Sequence, residues 1–260
     1  MKNVLEIDAF ISGAPHHRVM AKTDGLTPAI SCNDLRISYS GHVVLDGFSM
    51  DVIPGRVHAL LGRNGAGKST CFRMILGLED RGQGAIQILG SPRTRDSLKN
   101  IGASINGPAF YGHLSALNNI RVHAKLLNIP DLQAQEALDF VGLGHAGRKK
   151  ARSFSTGMKA RLALATAILG RPPILILDEP QNGLDPQGIA DLRILIRNWV
   201  KCEGTVLISS HQLGEISKLA DDITILAKGH SVYSGPLSDF AARDHLEERF
   251  LDMTQGSEES

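Results

Sequence analysis

The sequence predicts an α/β protein of three layers with a mostly parallel sheet at its centre. Three stretches predict it. "RVHALLG", residues 56–62, is an apolar run that passes through the glycine-rich "RNGAGK" into "STCFRMILGL", whose apolar residues recur at helical spacing: strand, loop, helix. "ILILDEP", residues 174–180, is a continuous apolar run closed by two acids and a proline, and "TVLISSH", residues 205–211, is a second that closes on a histidine. Uninterrupted apolar runs of this length belong to strands buried on both faces, the condition of a parallel sheet covered by helices.

Composition sets the bounds. A chain of 260 residues, 42% hydrophobic and 21% charged, can bury a sizeable core as one large domain or two intimate subdomains. Its net charge of +1 gives no electrostatic case for a nucleic-acid surface, so nucleic acid is not expected as a partner. Cys32, Cys71 and Cys202 are odd in number and far apart, which fits reduced structural thiols better than disulfides or a zinc site. No apolar run reaches the length that crosses a bilayer, and Glu6 and Asp8 interrupt the only apolar patch at the N-terminus, unlike a signal peptide. A soluble protein is expected, with residues 1–28 a loosely ordered tail, 29–235 the folded domain and 236–260 a C-terminal tail whose last residues, 252–260, are polar and loosely ordered.

The loop between the first strand and its helix reads Gly62-Arg63-Asn64-Gly65-Ala66-Gly67-Lys68-Ser69, which fits G-x-x-x-x-G-K-[ST]. Glycines let backbone N–H groups surround phosphate oxygens, and the helix start adds positive potential. Lys68 is placed to reach the β and γ phosphates, Ser69 to give its hydroxyl to Mg²⁺, and Thr70 to donate on the α-phosphate side. A glycine turn with a chance lysine is the bland alternative, and the flanking strand and helix argue against it. At the end of the acidic strand, Asp178 is expected to hold Mg²⁺ through water, and Glu179 to orient the water that attacks the γ-phosphate. His211, at the end of the third strand, would face the same crevice and sense the γ-phosphate, whereas a lone histidine would ordinarily be a surface residue.

A fourth stretch, "SFSTGMKARLALA", residues 153–165, turns abruptly from hydroxyl and glycine residues into a helix former. Ser155 suits an N-cap, and Leu162, Ala165, Ile168 and Leu169 follow at helical spacing. Ordinary capping and anion binding at the helix start, with Gly157 admitting the anion, both fit these residues.

In this order the pieces resemble the nucleotide-binding subunit of an ATP-binding cassette (ABC) transporter over about residues 30–235. The resemblance implies a small antiparallel β subdomain near the N-terminus and an inserted helical subdomain at about 107–160, where "SALNNIRVHAKLLNI" and "LQAQEALDFVGL" supply periodic segments. It makes Tyr39 the adenine-stacking aromatic, which on its own would pass for a core strand residue. Ser155, Thr156, Gly157 and Met158 become the signature that faces the ATP of a second subunit, Asp185 in "NGLDP" the D-loop aspartate, and His211 the switch histidine. Asn106, in "SINGPAF", stands where the family usually has Gln and the peptide-antibiotic export and immunity subunits often have Glu, which would make it a contact of Mg²⁺ or the attacking water, but Asn is shorter than both and "NGP" reads equally as a turn. Thr156, Met158 and Ala160 also depart from the usual signature, while Met158 and "PAFYGHLSALNNI" are similar to the bacitracin and lantibiotic export branch. ATP and Mg²⁺, a second ATP-binding subunit, identical or related, and separately encoded permease subunits are therefore implied, on the cytoplasmic face of the membrane. The expected activity is ATP hydrolysis coupled to export of, or immunity to, a peptide antibiotic. Only 25 residues follow Gly235, too few for the regulatory domain of some importer subunits. An importer subunit is one alternative. A DNA-maintenance or translation clamp is another, but it would need a long heptad insertion or two cassettes. A non-hydrolysing regulatory cassette is opposed by Glu179 and His211.

Overall fold

The structure is a computed structural model that describes residues 27–105, 107, 109–241 and 245–255. Two sheets organise it. Strands β1 (Ile30–Tyr39), β2 (His42–Val52), β4 (Gln83–Ile88) and β5 (Ser91–Pro92) make an antiparallel sheet in the order β2-β1-β4-β5. The larger sheet takes β3 (Val57–Leu61), β6 (Ile101–Ser104), β7 (Ile174–Asp178), β8 (Thr205–Ser210), β9 (Asp222–Ala227) and β10 (His230–Pro236) in the order β10-β9-β3-β8-β7-β6. Its strands run parallel except for the pairing of β10 with β9. The chain crosses from β3 to β6 at the far edge, returns through β7 to β8 and then crosses over β3 to β9, so the loop after β3 lies where ligands settle in open parallel sheets.

The apolar runs are buried on both faces, as their composition predicts. Val57, Ala59 and Leu61 of β3, Leu175 and Leu177 of β7, and Val206 and Ile208 of β8 join one core cluster. Leu60, Ile174, Ile176 and Leu207 point the other way, into a second core between the sheets. The first core is covered by α2 (Ala116–Leu126), α3 (Asp131–Phe140), α4 (Thr156–Ala167) and α5 (Pro186–Lys201); the second holds Cys71, Phe72 and Ile75 of α1 (Lys68–Ile75). Cys32 and Cys71 are free thiols in that second core, and their mutual hydrogen bond, reinforced by burial, holds Cys71 well above its ordinary pKa. Such thiols are inert.

The helical expectation for the region after β6 is met by α2, α3 and α4, and α4 packs back onto β6. Gly102 on β6 permits this approach, since a Cβ there would lie 1.8 Å from the Ala167 carbonyl oxygen. The expected C-terminal tail differs from the structure. Leu213–Leu219 (α6) is followed, after β10, by Leu237–Phe240 (α7) and Leu246–Gln255 (α8), and Leu237, Phe240, Leu246 and Phe250 are buried in the first core. Four apolar anchors spread over about four turns, among charged residues, are too sparse to stand out as a periodic segment. The expected N-terminal tail falls outside the described residues apart from Thr27 and Pro28.

His58, in the middle of β3, is fully buried with Nε2 on Thr224 Oγ1 at 2.8 Å, while its Nδ1 has no partner. Burial, helped by the nearby Arg56 charge, lowers its pKa from 6.5 to about 3. The folded state therefore carries it neutral, and the unfolded chain binds its proton first as pH falls. Its contribution is complete above about pH 6.5 and is lost as pH falls towards 3. In urea unfolding between pH 6 and 4, His58→Gln is expected to show a pH slope shallower than wild type by up to about 1.4 kcal/mol per unit, the work of one proton. Equal slopes would show that His58 does not titrate on unfolding.

Candidate active site

The loop after β3 is shaped by where side chains cannot go. A Cβ on Gly62 would stand 2.8 Å from the Leu226 carbonyl oxygen of β9, and Gly67, the residue that caps α1, sits at φ +110° with Val44 and Leu45 about 3.1 Å from where its Cβ would be. Between them the Ala66 N–H donates to the Arg63 carbonyl at 3.1 Å and closes the turn. Arg63, Asn64 and Gly65 lie exposed on its rim, and Thr70 is half-buried one residue beyond Ser69. Lys68 opens α1 and folds back over the loop: Nζ donates to the Gly62 carbonyl at 2.8 Å and the Arg63 carbonyl at 3.2 Å, with the side chain only 6% exposed. The same ammonium is 3.6 Å from Glu179 Oε1.

Strand register brings the remaining groups to it. Leu61 pairs with Ser210 and Asp178 with Ser209, so β3, β8 and β7 end side by side. Ser69 Oγ donates to Asp178 Oδ2 at 2.7 Å. Ser209 Oγ donates to Asp178 Oδ1 and accepts from the Glu179 N–H at 2.9 Å, which supports Glu179 at φ +47°, a left-handed backbone that a non-glycine residue seldom takes. Glu179 Oε2 accepts from Asn182 Nδ2 at 2.6 Å and lies 3.1 Å from His211 Nδ1. Burial pushes the pKa of Glu179 up, but the bonds from Asn182 and His211, with the charges of His211 and Lys68, outweigh it and hold the pKa below the ordinary value. The carboxylate is thus ionised and aimed at the mouth of the loop.

The sequence-predicted residues Lys68, Ser69, Asp178, Glu179 and His211 therefore meet in one place. Tyr39 is at the end of β1, its hydroxyl donating to Glu79 Oε2 at 2.9 Å and its ring under the Arg81 guanidinium at 5.4 Å. Bonds from Arg81 and Tyr39 lower the pKa of Glu79 to about 2, so this carboxylate stays charged. Ser155 is the N-cap of α4, accepting from the Met158 N–H at 3.3 Å, and Met158 packs on the first core. Among the described residues neither Ser155, Thr156 nor Gly157 bonds to the phosphate loop. A Cβ on Gly157 would meet only Leu184 Cδ2, at 3.8 Å, so nothing described in this chain requires glycine there. Asp185 caps α5 through the Gly188 N–H at 2.8 Å. Asn106 lies outside the described residues.

Sequence reading passed over Glu79, Arg81, Gln181, Asn182, Ser209 and Ser210. The two serines carried a signal, since paired hydroxyls inside an otherwise apolar strand must find partners. Asn182 and Gln181 looked like ordinary turn residues.

A family model described as ABC transporter matches residues 45–182, from β2 through the phosphate loop and the α4 start to Asn182. The chain belongs to the ABC transporter family. Within it this is the ATP-binding subunit, an ATPase. A lantibiotic transport ATP-binding protein of Streptococcus pyogenes is 38% identical over 222 residues, covering 85% of this chain and 95% of that one. A bacitracin transport ATP-binding protein of Bacillus licheniformis is 39% identical over 229 residues, covering 86% and 73%. Among solved structures, an ATP-binding subunit of an ABC transporter superposes with a TM-score of 0.77 at 28% identity, over 88% of this chain and all of that one. CbiO1 of Clostridium perfringens, part of the ABC transporter complex CbiONQ, gives 0.74 at 26% identity, over 87% and 95%. The α/β architecture with its antiparallel sheet is thus the family's fold.

Ser209 holds both Asp178 and the Glu179 backbone, so Ser209→Ala leaves one buried acceptor and one donor short of a partner. We expect a loss of about 1–3 kcal/mol in urea unfolding. A change within about 0.3 kcal/mol would show that this ABC ATPase does not rely on the bridge.

Proposed function

We propose that this ABC subunit hydrolyses ATP with Mg²⁺ at two composite sites of a dimer and thereby drives separately encoded membrane subunits that export, or give immunity to, a peptide antibiotic. The observation that carries the reading is the convergence of Lys68, Ser69, Asp178, Glu179 and His211 around the loop after β3. The peptide antibiotic rests on the printed functions of the lantibiotic and bacitracin relatives. The membrane subunits rest on the family and on the complex to which CbiO1 belongs, since no described helix is long and apolar enough to cross a membrane. Docked on such subunits, the chain would sit on the cytoplasmic face of the membrane.

The residues divide the work. Backbone N–H groups of residues 63–70 surround the phosphates and Lys68 neutralises the β and γ oxygens, leaving its two carbonyl acceptors to do so. The Ser69 hydroxyl and the Asp178 carboxylate, already in contact, offer hard oxygens suited to Mg²⁺. No described group of three or more acidic, histidine or cysteine side chains could hold a metal by itself, which fits an ion completed by phosphate and water. Bound there, Mg²⁺ would neutralise charge that develops on the phosphates. Glu179 accepts a hydrogen bond from the attacking water and orients it. His211 turns from Glu179 to the γ-phosphate, and Tyr39, steadied by Glu79 and Arg81, stacks on adenine.

The second subunit is supported by Gly157. Its place at a helix start, beside the Ser155 hydroxyl and with no steric demand from its own chain, suits close approach by the phosphate of another. Asp185 directly follows Leu184, the residue nearest a Cβ placed on Gly157, and would reach that partner also.

Glu179→Gln is expected to retain ATP affinity and lose turnover by about 10²- to 10⁴-fold, with an ATP-bound dimer persisting in size-exclusion chromatography. Lys68→Ala should weaken both ATP binding and turnover, because the phosphates lose their main cation. Near-normal hydrolysis by Glu179→Gln, or unchanged ATP affinity in Lys68→Ala, would contradict these assignments.

A further inference from the structure

From Glu179 to His211 the molecule closes a ring. Two residues after Glu179 the chain turns inward and places Gln181, 5% exposed, in the core, where Nε2 donates to Ser210 Oγ at 2.6 Å. Ser210 is fully buried and is followed at once by His211, whose Nδ1 returns to Glu179 Oε2. Ser210 Oγ also accepts from the Gln212 N–H at 2.9 Å, so one hydroxyl fixes the backbone on the far side of His211 as well. The Gln181 carbonyl accepts from the Leu184 N–H at 3.1 Å and sets the turn that leads to Asp185.

The two hydrogen bonds of this ring differ in what threatens them. The His211–Glu179 contact is made by the groups that turn towards phosphate and water in the proposed reaction, so it is given up when nucleotide binds. The Gln181–Ser210 bond lies behind them, among Ile189, Leu192, Ile208 and Ile216, beside a cavity of about 20 Å³, room for one water or one methyl group. The cavity is also lined by the ion pair of Arg193 and Glu215, but Gln181 and Ser210 are themselves buried, so nucleotide does not reach their bond.

We propose that Gln181 and Ser210 are a positioning pair that holds His211 in register with Glu179 once those two residues let go of each other. The inference rests on the assignment of Glu179 and His211 to the hydrolytic step. Gln181 and Ser210 touch no reacting atom; they fix the distance between two strand ends whose side chains do. A near-attack arrangement is sensitive to shifts of about 1 Å, so loss of the tie lowers turnover without loosening the phosphate loop. Substrate binding, which depends on Lys68 and the loop amides, stays as it is.

The test is steady-state ATP hydrolysis by the full chain with Gln181→Leu, Ser210→Ala, both together, and Ser210→Thr, alongside thermal melting. Each single removal is expected to lower kcat about 10-fold with KM for ATP within 2-fold of wild type. The double variant should be no slower than the slower single, because either single already loses the bond between the two side chains, and Ser210→Ala loses the bond from the Gln212 N–H as well. Ser210→Thr restores the hydroxyl, with the cavity open to its methyl, and is expected to keep at least half the wild-type kcat. Singles that melt above the assay temperature yet keep kcat within 2-fold would overturn the proposal, as would losses that multiply in the double variant. A parallel rise in KM would place the effect on binding and overturn it too. If Gln181→Leu fails to fold, the contrast of Ser210→Ala with Ser210→Thr decides. Glu179→Gln, run beside them, separates the two ideas: near-normal turnover in that variant sinks the hydrolytic assignment, whereas an inactive Glu179→Gln beside fully active pair variants sinks the positioning pair alone.

Discussion

The parallel register of β3, β8 and β7 is the constraint on which the site depends. Leu61 opposite Ser210, and Ser209 opposite Asp178, place three strand ends at one level, so groups more than a hundred residues apart in sequence arrive within hydrogen-bond distance. The register is fixed because each strand is buried on both faces, and a slip of one residue would exchange the contents of the two cores. Apolar packing thus positions the polar cluster at the strand ends.

Within that frame charge and strain are balanced locally. Lys68 is nearly buried, yet two carbonyls and a carboxylate surround it, and Glu179 adopts a left-handed backbone that Ser209 supports from the next strand. Glu179 makes contact with Asn182, His211 and Lys68 together. In the proposed reaction ATP would take over part of this network, which would give binding a direct route to the carboxylate proposed to orient water. Ser209 and Ser210 lie buried beneath it.

Most of this was legible in residues 56–70, 174–180 and 205–211, because a strand buried on both faces has an unambiguous pattern and the phosphate loop has a spacing set by its chemistry. The start of α4 at Ser155 was legible for the same reason, as a hydroxyl before a helical stripe. What escaped was support from outside those stretches. Gln181 and Asn182 have side chains that read as turn formers, and only the fold shows one reaching inward to Ser210 and the other back to Glu179. Glu79 and Arg81 reach Tyr39 from a loop 40 residues away, a distance at which sequence pattern says nothing about contact. Helix α8 was missed because its anchors, Leu246 and Phe250, are thinly spaced among charges.

The proposed dimer requires that the helix start at Ser155 and Gly157 complete the site of another chain. It is tested most directly by mixing Gly157→Asp with Lys68→Ala, each inactive alone. In a mixed dimer one site combines both defects, and the other combines an intact phosphate loop with an intact signature. Partial recovery of ATP hydrolysis, rising with the fraction of mixed dimer, is the expected result. An activity no greater than the sum of the separate proteins, or normal hydrolysis by Gly157→Asp alone, would contradict it and leave this stretch as a helix cap.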